Sequence, residues 1–388
     1  MTTMHKLNQA FACSDVVAAP PRLRILHITE AQLGGVMTCL QEMLGAQASH
    51  ADIESVCALV PNISSAALQA VSPPNVKIQS FRYTRRSIGA LWRLAITARQ
   101  VLQENDPDIV HLHSTLAGAI VRLCLITLRK RPKIVYCPHG WFFTRPGSTA
   151  VAVAAAAVER LLANTTDGIL CVSNHERQQA IAAGIPASRC FVVTNGIAEI
   201  DAPSTNALPI ARRRGGKLKV LFVGRFDRQK GFDVYMEVMR RLEDIADGVA
   251  VGSFILNKAK PLVCPANVTL IDWRSRDELH RIYKSADLLI VPSRWEAFGF
   301  VAAEAMRAGV PVFASRVGGL PELVLDNVTG RLFDSENVEQ ITQLIRSASR
   351  PVLEEYGRRG YARFLKNFTA ARMNEGLFQY YRLMACSD

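Results

Sequence analysis

No two cysteines in this chain stand in a CxxC pair, and the nine present are scattered and odd in number. That spacing excludes a disulfide framework or a structural zinc site and points to reduced thiols in a cytoplasmic protein. No GxGxxG follows an apolar run, and no GxxxxGK[ST] occurs anywhere. The first absence removes the fingerprint of a dinucleotide oxidoreductase, the second that of a P-loop NTPase. No apolar run reaches transmembrane length. The longest candidate, the alanine-rich TAVAVAAAAVERLLAN from Thr149, is short, ends in charge and reads as a packed helix. The first 21 residues lack the apolar core of a secretory signal and read as a loose extension.

Acidic residues are also in deficit, with 34 Asp and Glu against 46 Lys and Arg and a formal charge of +12. Scattered basic charge keeps a protein soluble. It also favours anionic partners. No nucleic-acid motif accompanies it, so an anionic membrane surface fits better than nucleic acid. The segment RYTRRSIGALWRLAITARQVL sets Arg82, Arg85, Arg86, Arg93 and Arg99 beside Ile88, Leu91, Trp92 and Leu94. A basic amphipathic helix carrying a tryptophan suits a membrane surface, and it equally suits a core-packed helix with solvated arginines.

A chain of 388 residues, 49% hydrophobic and 21% charged, is a soluble globular protein large enough for two domains. Its first half alternates short apolar runs (RILHIT, IESVCALV, DIVHLH, KIVYCPH, GILCVS) with helical segments. Runs of this kind suit strands buried on both faces of a parallel sheet. Near Ile200 the text becomes polar, proline-bearing and basic, as a linker does. KVLFVGR, VAVGSFIL, VTLIDW, DLLIVPS and PVFAS then restart the alternation. The expected layout is an extension over 1–21, one α/β doubly wound domain over 22–200, a linker over 201–217, a second such domain over 218–366, and a final amphipathic helix over 367–388. Ligands bind such sheets beyond the carboxyl ends of their strands, so the cleft between the domains is the expected active site.

The stretch from Pro292 to Glu322 carries the chemistry. Glu296 follows a buried strand, Glu304 lies early in the next helix, and seven residues separate them. Phe298, Gly299 and Phe300 mark the turn between, where free backbone amides face outward. Such a turn can hold a diphosphate, with one carboxylate toward a sugar and the other toward a ribose. The turn after KVLFVG carries Arg225 and Lys230, two cations that can stabilise a diphosphate leaving group without a metal.

This constellation resembles the retaining nucleotide-sugar glycosyltransferases of family four, which have the GT-B fold. Three blocks carry the resemblance: Glu296-x7-Glu304, VLFVGRFDRQKGFD and AGVPVFASRVGGLPELV. It covers the chain from about Leu23 to the last helix. It implies that Arg225 and Lys230 hold the donor phosphates, that Glu304 accepts from ribose hydroxyls and that Glu296 holds the transferred sugar. It further implies that Gly34 and Gly35 bring backbone close to donor phosphate and acceptor, that His139 contacts the donor sugar, and that the last helix crosses back onto the first domain. His111, His113, Ser114, Asn174 and Asn195 are lesser candidates. Gly318 and Gly319 read as a tight loop and Glu322 as a helix cap. Ser253 after Gly252, and Asp272-Trp273, stand where the family often has glycine near the base, so the base is left open.

The Asp106-Pro107-Asp108 sequence has the look of a metal-binding Asp-x-Asp, but it precedes its strand, at the wrong end of the sheet, and reads as a turn. No metal and no cofactor is expected; the nucleotide sugar is a co-substrate. The resemblance implies transfer with retention, by front-face displacement assisted by the leaving phosphate. The stretches HSTLAGAIVRL and PKIVYCPHGWFF look like those of bacterial relatives that extend lipid-linked glycans, which implies a lipid-linked saccharide acceptor at the inner face of the cell membrane. A nucleotide-sugar epimerase and a non-catalytic scaffold share the architecture. The Arg–Lys and Glu-x7-Glu pairing argues against the first, and the presence of all four side chains against the second.

Overall fold

The computed structural model describes residues 22–32, 34–83, 87–126, 131–200, 216–254 and 264–386. The expected extension, most of the linker, and Arg85 and Arg86 lie outside them. Seven strands form the first sheet: β1 Leu23–Thr29, β2 Ile53–Pro61, β3 Val76–Phe81, β4 Ile109–His113, β5 Lys133–Cys137, β6 Gly168–Cys171 and β7 Cys190–Val192. Their order is β3-β2-β1-β4-β5-β6-β7, every pairing parallel. Six strands form the second: β8 Leu218–Val223, β9 Ala246–Val251, β10 Val268–Ile271, β11 Leu288–Val291, β12 Val312–Ser315 and β13 Gly330–Phe333. Their order is β10-β9-β8-β11-β12-β13, again all parallel. The expected α/β architecture of two doubly wound sheets is present.

The residues explain the elements. β4 (IVHLH) and β11 (LLIV) are buried along their whole length, as central strands covered by helices on both faces must be. β3, β7 and β13 have no counterpart in the sequence reading. β3 and β7 are edge strands, and VKIQSF mixes polar and apolar residues without a continuous buried run. β7 has three residues, too few for periodicity to register, and β13 (GRLF) opens on glycine and arginine, which leaves only two apolar residues in its run.

Topology places the site. Strand order reverses between β1 and β4 in the first sheet and between β8 and β11 in the second. At such a switch point the loops leaving the two strands part to opposite faces and open a crevice. Glu30 and Ser114 leave the first switch point; Arg225 and Glu296 leave the second.

The helix Ala370–Cys386 packs across the first domain. Its buried residues Met373, Asn374, Leu377, Tyr380 and Tyr381 share one helical face. The Tyr381 hydroxyl reaches His111 Nδ1 at 2.6 Å, and Arg382 pairs with Asp52. One apolar cluster runs from Leu40 and Val60 through Met373 and Leu377 to Ala302 and Leu289, so both domains share core.

Two expectations about helices change. The Thr149–Ala163 helix packs on the Thr115–Leu125 helix and on Phe142–Thr144, but much less of it is covered than expected of a packed helix. Its buried residues are Glu159, Leu162 and Ala163, while Val151, Val153, Val158 and Leu161 are exposed. Alanine alone lets a helix form without a core-facing stripe, so composition did not reveal which way it faced. The Ile88–Asn105 helix packs on the core through Ala90, Leu94, Ala98, Val101 and Leu102, as its core-packed reading has it, and also turns the apolar Ile88, Trp92 and Ile96 outward.

Candidate functional site

The turns after β8 and β11 nest. Gly231 adopts φ 67°, and a Cβ there would lie 2.0 Å from the Pro292 carbonyl oxygen, so only glycine lets the turns meet. The Arg294 amide donates to Gln229 O at 2.8 Å across the junction. This nesting delivers Lys230 to Glu296. Its Nζ donates to Glu296 Oε2 at 2.5 Å, with both side chains mostly buried. Ser293 Oγ lies 3.5 Å from the same oxygen. Arg225 is more open; it pairs with Asp227 at 3.1 Å and donates to Gln229 at 2.5 Å.

A second clamp holds Glu296 from behind. Gly318, at φ 57°, packs so closely that a Cβ would lie 1.6 Å from the Glu296 carbonyl oxygen. The Gly319 amide donates to that oxygen at 3.2 Å. The Gly318-Gly319 turn therefore fixes the Glu296 backbone.

Gly299, at φ 107°, precedes the helix Phe300–Arg307, whose first amides have no partner within the helix. Phe298 is buried and meets Phe300 edge-on, 5.2 Å between centroids. Glu304, one turn in, accepts from the Tyr283 hydroxyl at 2.8 Å. Burial pushes its carboxyl above the usual value, against the pull of that hydrogen bond and of Arg307 and Arg276. Tyr283 comes from the helix Arg276–Ser285, which starts in a Ser275–Glu278 capping box.

The first domain presents two loops to this surface. The Gly34-Gly35 loop follows β1, and a Cβ on Gly35 would lie 2.9 Å from the Phe300 ring, so glycine permits the approach. The His139-Gly140 turn follows β5, and a Cβ on Gly140 would lie 3.4 Å from that of Ala297. His139 itself holds φ 53°, a left-handed conformation uncommon outside glycine. Burial lowers its imidazole to about 4. The structure thus brings His139, Glu296, Arg225, Lys230, Gly34, Gly35, Phe298, Gly299, Phe300 and Glu304 to one cleft.

The lesser candidates divide. Ser114 donates to Glu30, and His111 is buried against Tyr381. Asn195 Oδ1 accepts from the Cys39 thiol at 3.1 Å, deep in the core. Glu322 caps a helix, though one in the other domain: it accepts from Asn174 N at 2.9 Å, Asn174 Nδ2 at 2.9 Å and His175 N at 2.7 Å. It bridges the two domains beside the cleft. Asp108 accepts from the Arg24 backbone and guanidinium, and Asp106 caps the Ile88–Asn105 helix, so this pair is structural.

Several residues at the site escaped the sequence reading. Glu30 caps the Thr115–Leu125 helix through Leu116 N and Ala117 N, at 3.2 and 2.9 Å. A buried carboxylate already occupies that helix start, so it offers no place to a phosphate. Glu176 accepts from Gly140 N at 2.5 Å and Val172 N at 2.7 Å, holding the His139 turn; burial pushes it up to about 7 despite those bonds. Tyr283, Gln47 and His27 are the others. Only His27, a lone polar residue inside RILHIT, left a readable signal.

Two family models match this chain in tandem: Glycosyltransferase Family 4 over residues 33–199 and Glycosyl transferases group 1 over residues 205–359. The chain is 30% identical over 333 residues to an uncharacterized 41.2 kDa protein in the cps region of Klebsiella pneumoniae, covering 84% of this chain and 90% of that one. It is 30% identical over 250 residues to the D-inositol 3-phosphate glycosyltransferase of Mycobacterium sp. (strain KMS), covering 60% of this chain and 56% of that one. Anabaena HepE in complex with UDP-glucose superposes with a TM-score of 0.77 at 19% identity, over 93% of this chain and 100% of that one. Sucrose-phosphate synthase from Thermosynechococcus elongatus superposes at 0.76 with 20% identity, over 94% and 100%. At these identities the two structures share the fold.

Proposed function

Since this chain belongs to the family 4 glycosyltransferases and has their GT-B fold, we propose that it transfers a hexose from a nucleotide-diphospho-sugar to a lipid-linked saccharide, with retention of configuration. One observation carries the reading. The cations Arg225 and Lys230, the carboxylate Glu296 and the open amides of the Phe300 helix converge at the second sheet's switch point, facing His139.

The chemistry follows from the charges. A donor diphosphate gains negative charge as its glycosidic bond breaks. Arg225, Lys230 and the helix start stabilise that charge more than the ground state, which is what accelerates the step. Glu296, held by Lys230 and Gly319, accepts from hydroxyls of the sugar. The free oxygen of Glu304 takes a ribose hydroxyl, while Tyr283 fixes its orientation. Two protein cations fill the place a divalent metal would otherwise take, so transfer needs none. HepE, bound to UDP-glucose in its structure, supports a uridine nucleotide as the first donor to try.

The membrane side of the proposal rests on the first domain. Ile88, Trp92 and Ile96 are exposed on one helix, Leu123 and Ile126 at the end of the neighbouring Thr115–Leu125 helix, and Val151, Val153, Val158 and Leu161 on the next. Arg82, Arg93 and Arg99 are exposed alongside. Apolar residues interspersed with arginine suit an anionic bilayer surface. No helix among the described residues is long and apolar enough to cross a membrane. The cps-region relative supports a surface-polysaccharide intermediate as acceptor.

The test is incubation with UDP- and GDP-hexoses and a polyprenyl-diphosphate-linked saccharide. Acceptor-dependent release of nucleoside diphosphate with an extended lipid-linked product is the expected result. Epimerised nucleotide sugar, or no turnover, would contradict it.

A further inference from the structure

Behind His139 a file of buried side chains leads into the first domain. Gln47 Oε1 lies 2.8 Å from His27 Nε2, His27 Nδ1 lies 2.9 Å from His113 Nε2, and His113 Nδ1 lies 3.0 Å from His139 Nε2. Four elements supply them: the last residue of the helix Gly35–Gln47, the middle of β1, the end of β4, and the turn after β5. The rings stack in pairs, at 18° for His27–His113 and 25° for His113–His139. Gln47, His27 and His113 have no solvent exposure.

We propose that Gln47, His27 and His113 are positioning residues that fix His139 as its Nε2–H tautomer and present a bare Nδ1 to a substrate hydroxyl. The argument is one of proton count. A neutral imidazole has one donor and one acceptor, and the hydrogen bond at one nitrogen sets the role of the other. In the amide orientation of this structure Gln47 turns Oε1 to His27 and leaves its Nε2 buried without a partner among the described residues; an oxygen there can only accept, so His27 Nε2 carries hydrogen and His27 Nδ1 is a lone pair. His113 Nε2 must then donate to it, which leaves His113 Nδ1 as an acceptor. His139 Nε2 must donate in turn, which leaves His139 Nδ1 as an acceptor. Among the described residues that nitrogen has no hydrogen-bond partner, and His139 itself is only half-buried.

Burial keeps the file neutral, as the count requires. It lowers His27 and His139 to about 4 and His113 well below its ordinary value. Among the described residues, the causes of these shifts are burial, Gln47 and the other histidines. A metal would be the other use of this cluster, because ring nitrogens of His27, His111 and His113 lie within 4.8 Å of one another. Zinc holds each nitrogen at about 2.0–2.1 Å in a tetrahedron, which sets two ligand nitrogens roughly 3.3 Å apart. The 2.9 Å between His27 and His113 is instead a hydrogen bond, and it uses both of those nitrogens.

This inference rests on the proposed role of His139 at the donor sugar, but its test does not need a donor. Two-bond proton–nitrogen correlation spectra of the full chain labelled with 15N-histidine report each tautomer directly. His27, His113 and His139, assigned through single-histidine variants, are each expected as Nε2–H. Gln47→Met removes the ordering acceptor. His139 should then populate both tautomers, and kcat should fall about tenfold while the donor KM stays within about twofold. A wild-type His139 protonated at Nδ1, or unaltered tautomers in Gln47→Met, would overturn the proposal. The wild-type spectrum decides even where the variant fails to fold, and absence of nucleotide-sugar binding would count against the donor reading alone.

Discussion

Lys230 and Glu296 come from different strand ends of the second sheet and meet at 2.5 Å, at the switch point where the donor diphosphate is proposed to lie. In this account the ammonium does two things: it orients the carboxylate that holds the sugar and it offsets charge on the leaving group. Lys230→Ala should lower kcat by about 10²–10³, the loss typical of removing one preorganised donor to developing charge. Steady-state kinetics with a saturating acceptor check this. A variant with unchanged kcat would mean that Lys230 serves the fold alone.

Glu304 is tied to Tyr283 and, in the proposal, to the ribose. Glu304→Ala should raise the donor Kd by about tenfold, one lost charge-assisted hydrogen bond. It should also lower stability by about 1–3 kcal/mol, because the buried Tyr283 hydroxyl loses its acceptor. Tyr283→Phe should lower stability less and leave donor binding nearer to wild type. Calorimetric titration and thermal melting of both variants separate the two effects.

The clamp behind Glu296 makes a steric prediction. Gly318→Ala combines a left-handed backbone with a Cβ 1.6 Å from the Glu296 carbonyl oxygen. The Glu296 turn must move, and both melting temperature and kcat should drop. Gly309, at φ 70° with no atom near its Cβ position, is the control. Gly309→Ala should carry only the conformational penalty, about 1–2 kcal/mol, with kcat kept.

Three buried histidines and the half-buried His139 make the fold acid-sensitive. His27, His111, His113 and His139 all have lowered folded values. The unfolded chain takes up protons near pH 6.5, before the folded chain does, so stability is full above that pH and is lost as pH falls. For His27, lowered to about 4, the loss by pH 4 is on the order of 3 kcal/mol. Glu176 and Glu304 act in the opposite sense, since a raised carboxyl loses stability as pH rises, but the histidines outnumber them. Melting temperature should therefore fall steeply from pH 6.5 to 4. A flat profile there would mean that the histidines are already protonated in the fold.

The outward helices predict membrane binding. Trp92→Ser with Val153→Ser and Leu161→Ser removes exposed apolar area, Trp92 being 66% and Leu161 71% accessible, with little loss of core. Co-sedimentation with phosphatidylglycerol vesicles should drop while melting temperature holds. Wild-type protein that ignores anionic vesicles would count against the membrane acceptor.

The fold was legible because buried parallel strands write themselves as unbroken apolar runs: LLIV in β11 needs no context. The candidate site was legible because Arg225, Lys230, Glu296 and Glu304 are polar residues at strand ends and helix starts, where charge has few structural reasons to be. Gln47 and Tyr283 were not, because each ends a helical pattern as an ordinary residue and gains its role only from a partner on another element. Glu176 was hidden the same way, within the first turn of a helix where a carboxylate needs no special explanation. The outward face of Thr149–Ala163 could not be read from a run of alanine and valine with no polar stripe to mark the solvent side.

The central claim is a nucleotide-sugar site built on Arg225, Lys230 and Glu296. Its most direct test is the melting temperature of the protein against UDP-, GDP- and ADP-sugars, with and without magnesium, beside Arg225→Ala and Lys230→Ala. Ligand that binds only the folded state raises the melting temperature, by about 2.7 kcal/mol of added stability at a hundredfold excess over Kd. The account predicts a shift with one nucleotide family, unaffected by magnesium and diminished in both variants. A shift that persists in both variants, or one that appears only with magnesium, would contradict it.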